Sequence, residues 1–124
     1  MDAYDFLKYK NWVVVGNVLT EGKYANKILN RLKENSFNVK GLHPKDDTGK
    51  LAKSLKDVEF SVDVIDLCIN PARGLEILKE AKELGIKNVL IQPGAESQDI
   101  LDYAKENNIN AIEGCALVIL SQLK

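Results

Sequence analysis

Short apolar runs alternate along this chain with segments in which apolar residues recur at helical spacing. Residues 12–15 form a continuous apolar run that is typical of a parallel strand covered on both faces, and the other predicted strands lie at residues 37–42, 62–69, 88–91 and 109–112. Between them, sets such as Ala25, Ile28 and Leu32 form a single apolar stripe on a predicted helix. Pro71 suits the first position of the next helix, and Gly85 suits its end.

This order of elements predicts a three-layer α/β domain. Strand–helix–strand units with short connections form right-handed crossovers, which give a parallel sheet with helices on both faces. We therefore expect a five-stranded parallel sheet, with a sixth, edge strand near Leu51 as an alternative for the polar stretch 44–60. The chain has 124 residues and no repeat or linker, so we expect one domain over residues 1–124.

Composition and charge favour a cytoplasmic protein that binds a small molecule. The net charge is −1, without the basic excess that nucleic-acid backbones require. No apolar run approaches the roughly 20 residues that span a bilayer, and residues 1–10 lack the apolar core of a signal peptide. Cys68, Cys115 and His43 lack zinc-ligand spacing, and the two cysteines form no disulfide framework. We expect Cys68 to lie in the core, and neither metal, membrane nor nucleic-acid binding.

Ligands of parallel sheets bind beyond the carboxyl ends of the strands. The loops expected at that edge are 16–24, 43–45, 70–73, 92–95 and 114–115. The candidate binding residues are therefore Gly16, Asn17, Val18, Lys23, Tyr24, His43, Pro44, Lys45, Asn70, Pro71, Arg73, Gln92, Pro93, Gly94 and Cys115.

The first of these loops leads from a strand into a helix, and free N–H groups at a helix start favour an anion. The dinucleotide fingerprint Gly-x-Gly-x-x-Gly is absent, because the glycine after Gly16 is Gly22. The Walker A pattern is also absent, since Tyr24 stands where a magnesium-binding Ser or Thr is needed. Gly16 has two interpretations: it allows a phosphate close to the backbone, or it packs closely within the fold.

Prolines lie at or beside three successive strand ends, in His43-Pro44, Asn70-Pro71 and Gln92-Pro93. Proline stiffens a loop and donates no hydrogen bond, so these tips suit a flat adenine better than a phosphate. Lys23, Lys45 and Arg73 lie in the same loops and are candidates for phosphate contacts.

The sequence resembles a known family at five motifs, in order: residues 13–16, 37–44, 63–71, 85–94 and Gly114-Cys115. It is similar to the small stand-alone coenzyme A-binding proteins, and through them to the CoA-binding domain of the succinyl-CoA synthetase α subunit. The resemblance extends over about residues 11–120. It implies a Rossmann-like fold that binds CoA or an acyl-CoA, with phosphates at the first strand–helix turn and adenine on the proline-containing loops.

The chain departs from the family pattern at three of these motifs. Gly16-Asn17-Val18 replaces Gly-x-Ser, which removes a hydroxyl contact to phosphate. His43-Pro44 replaces Asn-Pro, and Cys115-Ala116 replaces Cys-Pro. No segment matches the phosphohistidine region of the synthetase, so acyl-CoA ligation by this chain alone is not implied.

Function remains open between binding and catalysis at this stage. We favour a binding protein over a self-contained enzyme, because no group of catalytic side chains converges. The alternatives are a small NAD(P)-linked enzyme or CoA transferase on the same scaffold, or a partner-interaction domain with a vestigial pocket. A protein partner or a homo-oligomer is also open. Cys115 either approaches the ligand thiol or closes the core, and Asp66 either hydrogen-bonds near a strand end or faces the sheet margin.

Overall fold

Five parallel strands form the centre of the computed structural model, which describes residues 2–123. They are β1 (Asn11–Gly16), β2 (Asn38–Leu42), β3 (Val64–Cys68), β4 (Asn88–Ile91) and β5 (Asn110–Glu113). The strand order is β2-β1-β3-β4-β5, and every neighbouring pair is parallel. The predicted five-stranded parallel sheet is confirmed. The order reverses between β1 and β3, where the two crossovers leave in opposite directions.

Helices cover both faces of the sheet. They are α1 (Tyr24–Glu34), α2 (Pro71–Leu84), α3 (Gln98–Glu106) and α4 (Ala116–Leu120), with 3₁₀ turns at Ala3–Lys8 and Leu55–Asp57. The helices α2 and α3 pack together on one face, and α1, α4 and the first 3₁₀ turn pack on the other. No helix within residues 2–123 is long and apolar enough to cross a membrane.

The alternation of side chains along β1 divides the core between these two faces. Val13 and Val15 belong to the apolar cluster under α2 and α3, whereas Trp12 and Val14 belong to the cluster under α1 and α4. All four are fully buried, and burial of one such aliphatic side chain contributes about 1.5–3 kcal/mol. Residues 12–15 of β1, an interior strand, are therefore continuously apolar because helices cover it on both sides.

The alternative sixth strand is reduced to a single parallel bridge between Leu42 and Ala52. Around this bridge, hydrogen bonds to the buried Asp46 carboxylate hold the chain, and within residues 2–123 the bridge extends into no ladder of strand hydrogen bonds. The Asp46 side chain accepts hydrogen bonds from the Thr48 hydroxyl at 2.7 Å and from the backbone N–H groups of Thr48, Gly49 and Leu51. This loop fixes the segment that follows β2, which carries His43 to the carboxyl edge of the sheet.

Candidate ligand-binding site

A cavity of about 400 Å³ opens at the carboxyl ends of β1 and β3, at the point where the strand order reverses. Its volume lies within the range of roughly 300–1,000 Å³ that small-molecule sites occupy. We call it the large cavity. Its lining residues come from the last residues of β1 and β3, the loops after β1, β2, β3 and β4, and the first turn of α2: Gly16, Asn17, His43, Cys68, Ile69, Asn70, Arg73, Pro93, Gly94 and Ala95.

The loop after β3 brings the start of α2 directly to this cavity. Asn70 is the N-cap residue, and its Oδ1 accepts the Arg73 backbone N–H at 3.0 Å. Pro71 occupies the first helical turn, as its sequence position predicts. The Arg73 guanidinium forms no ion pair with an acidic side chain among residues 2–123. A helix start with an unpaired arginine is suited to an anionic ligand.

The loop after β1 reaches the cavity only through its first two residues. Gly16 and Asn17 line it, but α1 begins later, after Lys23, whose exposed side chain makes no capping bond and does not line the large cavity. Val18 is 1% exposed and packs in the core. Its N–H donates to the Gly16 carbonyl at 2.9 Å, and its own carbonyl accepts from Asn26 Nδ2 at 2.8 Å. Val18 and Lys23 therefore lie outside the lining of this cavity, and their role as site residues stays a prediction.

Gly16 is required by the packing of the sheet. Its backbone φ is +150°, and it pairs with Cys68 on β3. A Cβ atom at this position would collide with the Cys68 carbonyl oxygen, and it would lie 3.2 Å from the Ala25 methyl group. Of the two interpretations of Gly16, close packing is the one with direct structural support, although the residue also lines the cavity.

The loop after β2 places His43 in the lining of the large cavity, whereas Pro44 and Lys45 lie outside it. His43 Nδ1 accepts the Lys45 backbone N–H at 3.0 Å. In the neutral ring this leaves the proton on Nε2, which can donate to a ligand. Pro44 lies instead in a separate groove beside α2. The Lys45 side chain is exposed and does not line the large cavity.

A second cavity of about 120 Å³ adjoins the first, and we call it the small cavity. It is lined by Tyr24, Cys68, Gln92, Pro93 and Cys115. Cys68 and Pro93 line both cavities. Gln92 is 3% exposed, and its Oε1 accepts the Ala116 backbone N–H at 2.7 Å. That bond fixes the orientation of the Gln92 amide and joins β4 to the start of α4.

Cys68 and Asp66 lie on the same side of β3, facing α1 and α4. Cys68 is half-buried: it packs against the core cluster under α1 and α4, and it also lines both cavities. Burial, with smaller contributions from Asp66 and Cys115, raises the pKa of the Cys68 thiol to about 11. Asp66 is fully buried, and neither carboxylate oxygen has a hydrogen-bond partner among residues 2–123. Asp66 is thus neither hydrogen-bonded near a strand end nor exposed at the sheet margin, the two environments expected for it. Burial raises the pKa of Asp66 well above its usual range.

Most candidate residues thus meet at two adjoining cavities. The large cavity collects Gly16, Asn17, His43, Asn70, Arg73, Pro93 and Gly94, and the small one adds Tyr24, Gln92 and Cys115. Sequence reasoning missed Cys68 and Ile69, and it placed Ala95 in an expected loop without naming it as a binding residue. The first two close β3 and precede Asn70, so the rule that ligands lie beyond strand ends was the signal that could have found them. Within residues 2–123, no three His, Cys, Asp or Glu side chains form a group that could hold a metal ion.

The fold and the position of the cavities define a Rossmann-like ligand-binding domain. The chain belongs to the family of CoA binding domains, whose sequence pattern matches residues 10–121. Family membership supports coenzyme A as the ligand. No protein of curated function matches the chain.

Solved structures with this fold include small proteins of similar length. A conserved hypothetical protein from Pyrococcus furiosus is 33% identical, with a TM-score of 0.80 over 89% of this chain and 98% of that one. A hypothetical protein from Pyrococcus horikoshii OT3 has a TM-score of 0.85 at 24% identity, over 95% of this chain and 86% of that one. A dinucleotide-forming acetyl-coenzyme A synthetase from Ca. Korarchaeum cryptofilum has a TM-score of 0.66 at 19% identity. It shares the fold over 90% of this chain, which matches 27% of the synthetase.

Proposed function

We propose that this protein binds CoA or an acyl-CoA, with the nucleotide in the large cavity and the thiol end in the small one. The observation that carries the proposal is the junction of two unlike cavities at Cys68 and Pro93. The large cavity has the positive end of the α2 dipole and an arginine, whereas the small one has a tyrosine ring and two thiols. CoA has the matching division into a phosphate-rich nucleotide and an uncharged pantetheine arm.

The phosphates have their best partners at two places on the large cavity. Gly16-Asn17, at the end of β1, faces the start of α2 across the cavity, and together they suit the pyrophosphate. The Arg73 guanidinium suits the ribose 3′-phosphate, because its planar fork binds phosphate oxygens in pairs. Lys45, the other candidate for this phosphate, lines neither cavity and is a weaker choice.

The adenine has apolar surface and a hydrogen-bond donor available to it. Ile69, Pro93 and Ala95 give the large cavity apolar surface, and His43 Nε2 supplies a donor. Gly94 adds an open backbone at the rim, since no heavy atom lies within 4 Å of its Cβ position. These features support adenine on the proline-containing loop after β4.

Parallel titrations test this function by isothermal calorimetry with CoA, 3′-dephospho-CoA and NAD under reducing conditions. We expect CoA to bind most tightly, 3′-dephospho-CoA more weakly, and NAD weakest, because the dinucleotide fingerprint and an acidic ribose clamp are missing. At 100 times its Kd, CoA is expected to stabilise the protein by about 2.7 kcal/mol. Equal or tighter binding of NAD would favour the dinucleotide enzyme alternative, and no binding of CoA would refute the proposal.

A further inference from the structure

The small cavity contains both cysteines of the chain, Cys68 and Cys115. They come from the ends of β3 and β5, which are not neighbours in the sheet. Cys115 reaches the cavity because the chain after β5 crosses the end of β4: the Gly114 N–H donates to the Ile91 carbonyl at 3.0 Å, and Ala116 is held by Gln92. The two thiols therefore share one small space of about 120 Å³, which the binding of CoA does not by itself require.

The two thiols differ in reactivity. The thiolate is the reacting form of cysteine, and the raised pKa of Cys68 keeps that residue as a thiol at neutral pH. The buried Asp66, two residues earlier on the same face of β3, adds to this effect. Cys115 lies outside the sheet, at the first turn of α4, and is half-buried. Cys115 lines only the small cavity, whereas Cys68 also lines the large one, so we assign the attack on a disulfide in the small cavity to Cys115.

We propose that the small cavity is a thiol–disulfide exchange site, in which Cys115 forms a mixed disulfide with CoA taken from oxidised CoA disulfide. This inference rests on the proposed function, because the nucleotide in the large cavity brings the sulfur to Cys115. Tyr24, at the rim of the small cavity, is 64% exposed. The cavity therefore opens to solvent beside this ring, and the second half of the disulfide has room to extend outside.

The exchange is balanced in atoms and electrons. The Cys115 thiolate attacks one sulfur of CoA disulfide, a new S–S bond forms between Cys115 and that CoA, and the original S–S bond breaks. The other CoA leaves as a thiolate and takes up the proton that Cys115 lost. Cys115 is oxidised and one sulfur of the substrate is reduced, with CoA disulfide as the only oxidant.

Cys68 determines the lifetime of the product. A mixed disulfide is normally resolved by a second thiolate that attacks it. The only other cysteine of the chain is Cys68, which burial holds as a thiol, so resolution is slow and the adduct accumulates. The product is therefore a protein that carries one covalently bound CoA until an external thiol releases it.

Intact-mass spectrometry after mixing the reduced protein with CoA disulfide at neutral pH tests the proposal. We expect one adduct with the mass of CoA less two hydrogen atoms, mapped to Cys115 by peptide analysis and reversed by dithiothreitol. Glutathione disulfide is the matched probe, because it offers the same S–S bond without the nucleotide. Since binding raises the effective concentration of the sulfur, we expect the adduct to form at least about tenfold faster with CoA disulfide than with glutathione disulfide.

Two variants make the result decisive. Cys115→Ser removes the adduct, whereas in Cys68→Ser any adduct that forms, at whatever rate, maps to Cys115. Equal rates with the two disulfides, an adduct on Cys68, or no adduct in a protein that binds reduced CoA would each overturn the exchange site and leave the binding function standing. Failure of the reduced wild-type protein to bind CoA in calorimetry would instead refute the proposed function.

Discussion

Two neighbouring strands end at the large cavity, but the segments that follow them differ. We call β1 with residues 17–23 the β1 arm, and β3 with residues 69–73 the β3 arm. After β1, the chain runs from Asn17 to Lys23 before α1 begins, and Lys23 caps that helix with no side-chain hydrogen bond. After β3, Asn70 caps α2 at once and Arg73 faces the cavity. The β1 arm therefore supplies close packing, and the β3 arm supplies a capped helix start and the positive charge of Arg73.

The strands β1 and β3 also differ in polarity, since the β1 residues that face the core are apolar and β3 carries a buried carboxyl group. Val14 on β1 pairs with Asp66 on β3, and both face the cluster under α1 and α4. Val14 packs as an apolar side chain, whereas Asp66 places an unpartnered carboxyl in the same layer. An unpaired buried polar group costs about 1–3 kcal/mol. The β3 arm thus carries Asp66 and Arg73, two charged residues that packing alone does not explain. The following predictions test whether packing belongs to the β1 arm and polar function to the β3 arm.

The largest effect is expected at Gly16, on the β1 arm. Gly16→Val places a branched side chain against the Cys68 carbonyl at a positive φ, so we expect the free energy of unfolding to fall by about 3 kcal/mol or more. Urea denaturation measures the change. Gly22→Ala is the matched control, since φ there is +88° but no heavy atom lies within 4 Å of the Cβ position, and we expect a loss of about 1 kcal/mol. Similar stabilities of the two variants would show that Gly16 is not a packing residue.

The next effect has the opposite sign and belongs to the β3 arm. Asp66→Val removes the unpartnered carboxyl from an apolar layer, so we expect the free energy of unfolding at pH 7 to rise by about 2 kcal/mol. Because burial raises the pKa of Asp66 in the folded state, the folded protein binds a proton more tightly than the unfolded chain does. Wild-type stability should therefore fall as pH rises from about 3.8 towards the raised pKa, by about 1.4 kcal/mol per pH unit.

Urea denaturation at several pH values measures this dependence. The Asp66→Val variant should lack the contribution of Asp66 to the slope. Asp66→Asn is the control, since it removes the ionisation but leaves an unpaired amide, and its gain at pH 7 should be smaller. A loss of stability in the Val variant at pH 7 would mean that the carboxyl has a partner in solution.

A smaller effect, on CoA affinity, is expected to distinguish Arg73 from Lys45. Arg73→Ala should weaken CoA binding about tenfold, because one charge-assisted phosphate contact is lost. It should weaken 3′-dephospho-CoA binding less than about threefold, since that ligand lacks the phosphate that Arg73 suits. Lys45→Ala, whose side chain lines neither cavity, is the matched control and should change neither Kd by more than about twofold. Calorimetry with both ligands checks the pattern, and an equal loss for the two ligands would place the 3′-phosphate elsewhere.

The sequence predicted the sheet well because parallel strands covered on both faces are continuously apolar, and β1 is such a run. It also placed Pro71 and Gly85 at the ends of α2 for local reasons that tertiary packing does not change. The position of Val18 and Lys23 could not be predicted, because where α1 begins depends on how Val18 packs against Gly41 and its neighbours. Cys115 was left open for a similar reason, since its position depends on the Gln92–Ala116 hydrogen bond between distant segments.

The smallest effect compares the two helix starts directly. The Asn70 side chain accepts the Arg73 N–H, so Asn70→Ala should lower the free energy of unfolding by about 1 kcal/mol, as the loss of an N-cap bond usually does. Lys23 occupies the equivalent position of α1 without a capping bond, so Lys23→Ala should change stability by no more than about 0.5 kcal/mol. Urea denaturation of both variants without ligand gives the comparison. Asn70→Asp should retain the cap but place a negative charge on the cavity, and we therefore expect it to keep its stability and lose affinity for CoA. If Asn70→Ala and Lys23→Ala were equally stable, the β3 arm would have no better-formed helix start than the β1 arm, and the assignment of the phosphates to α2 would lose its structural basis.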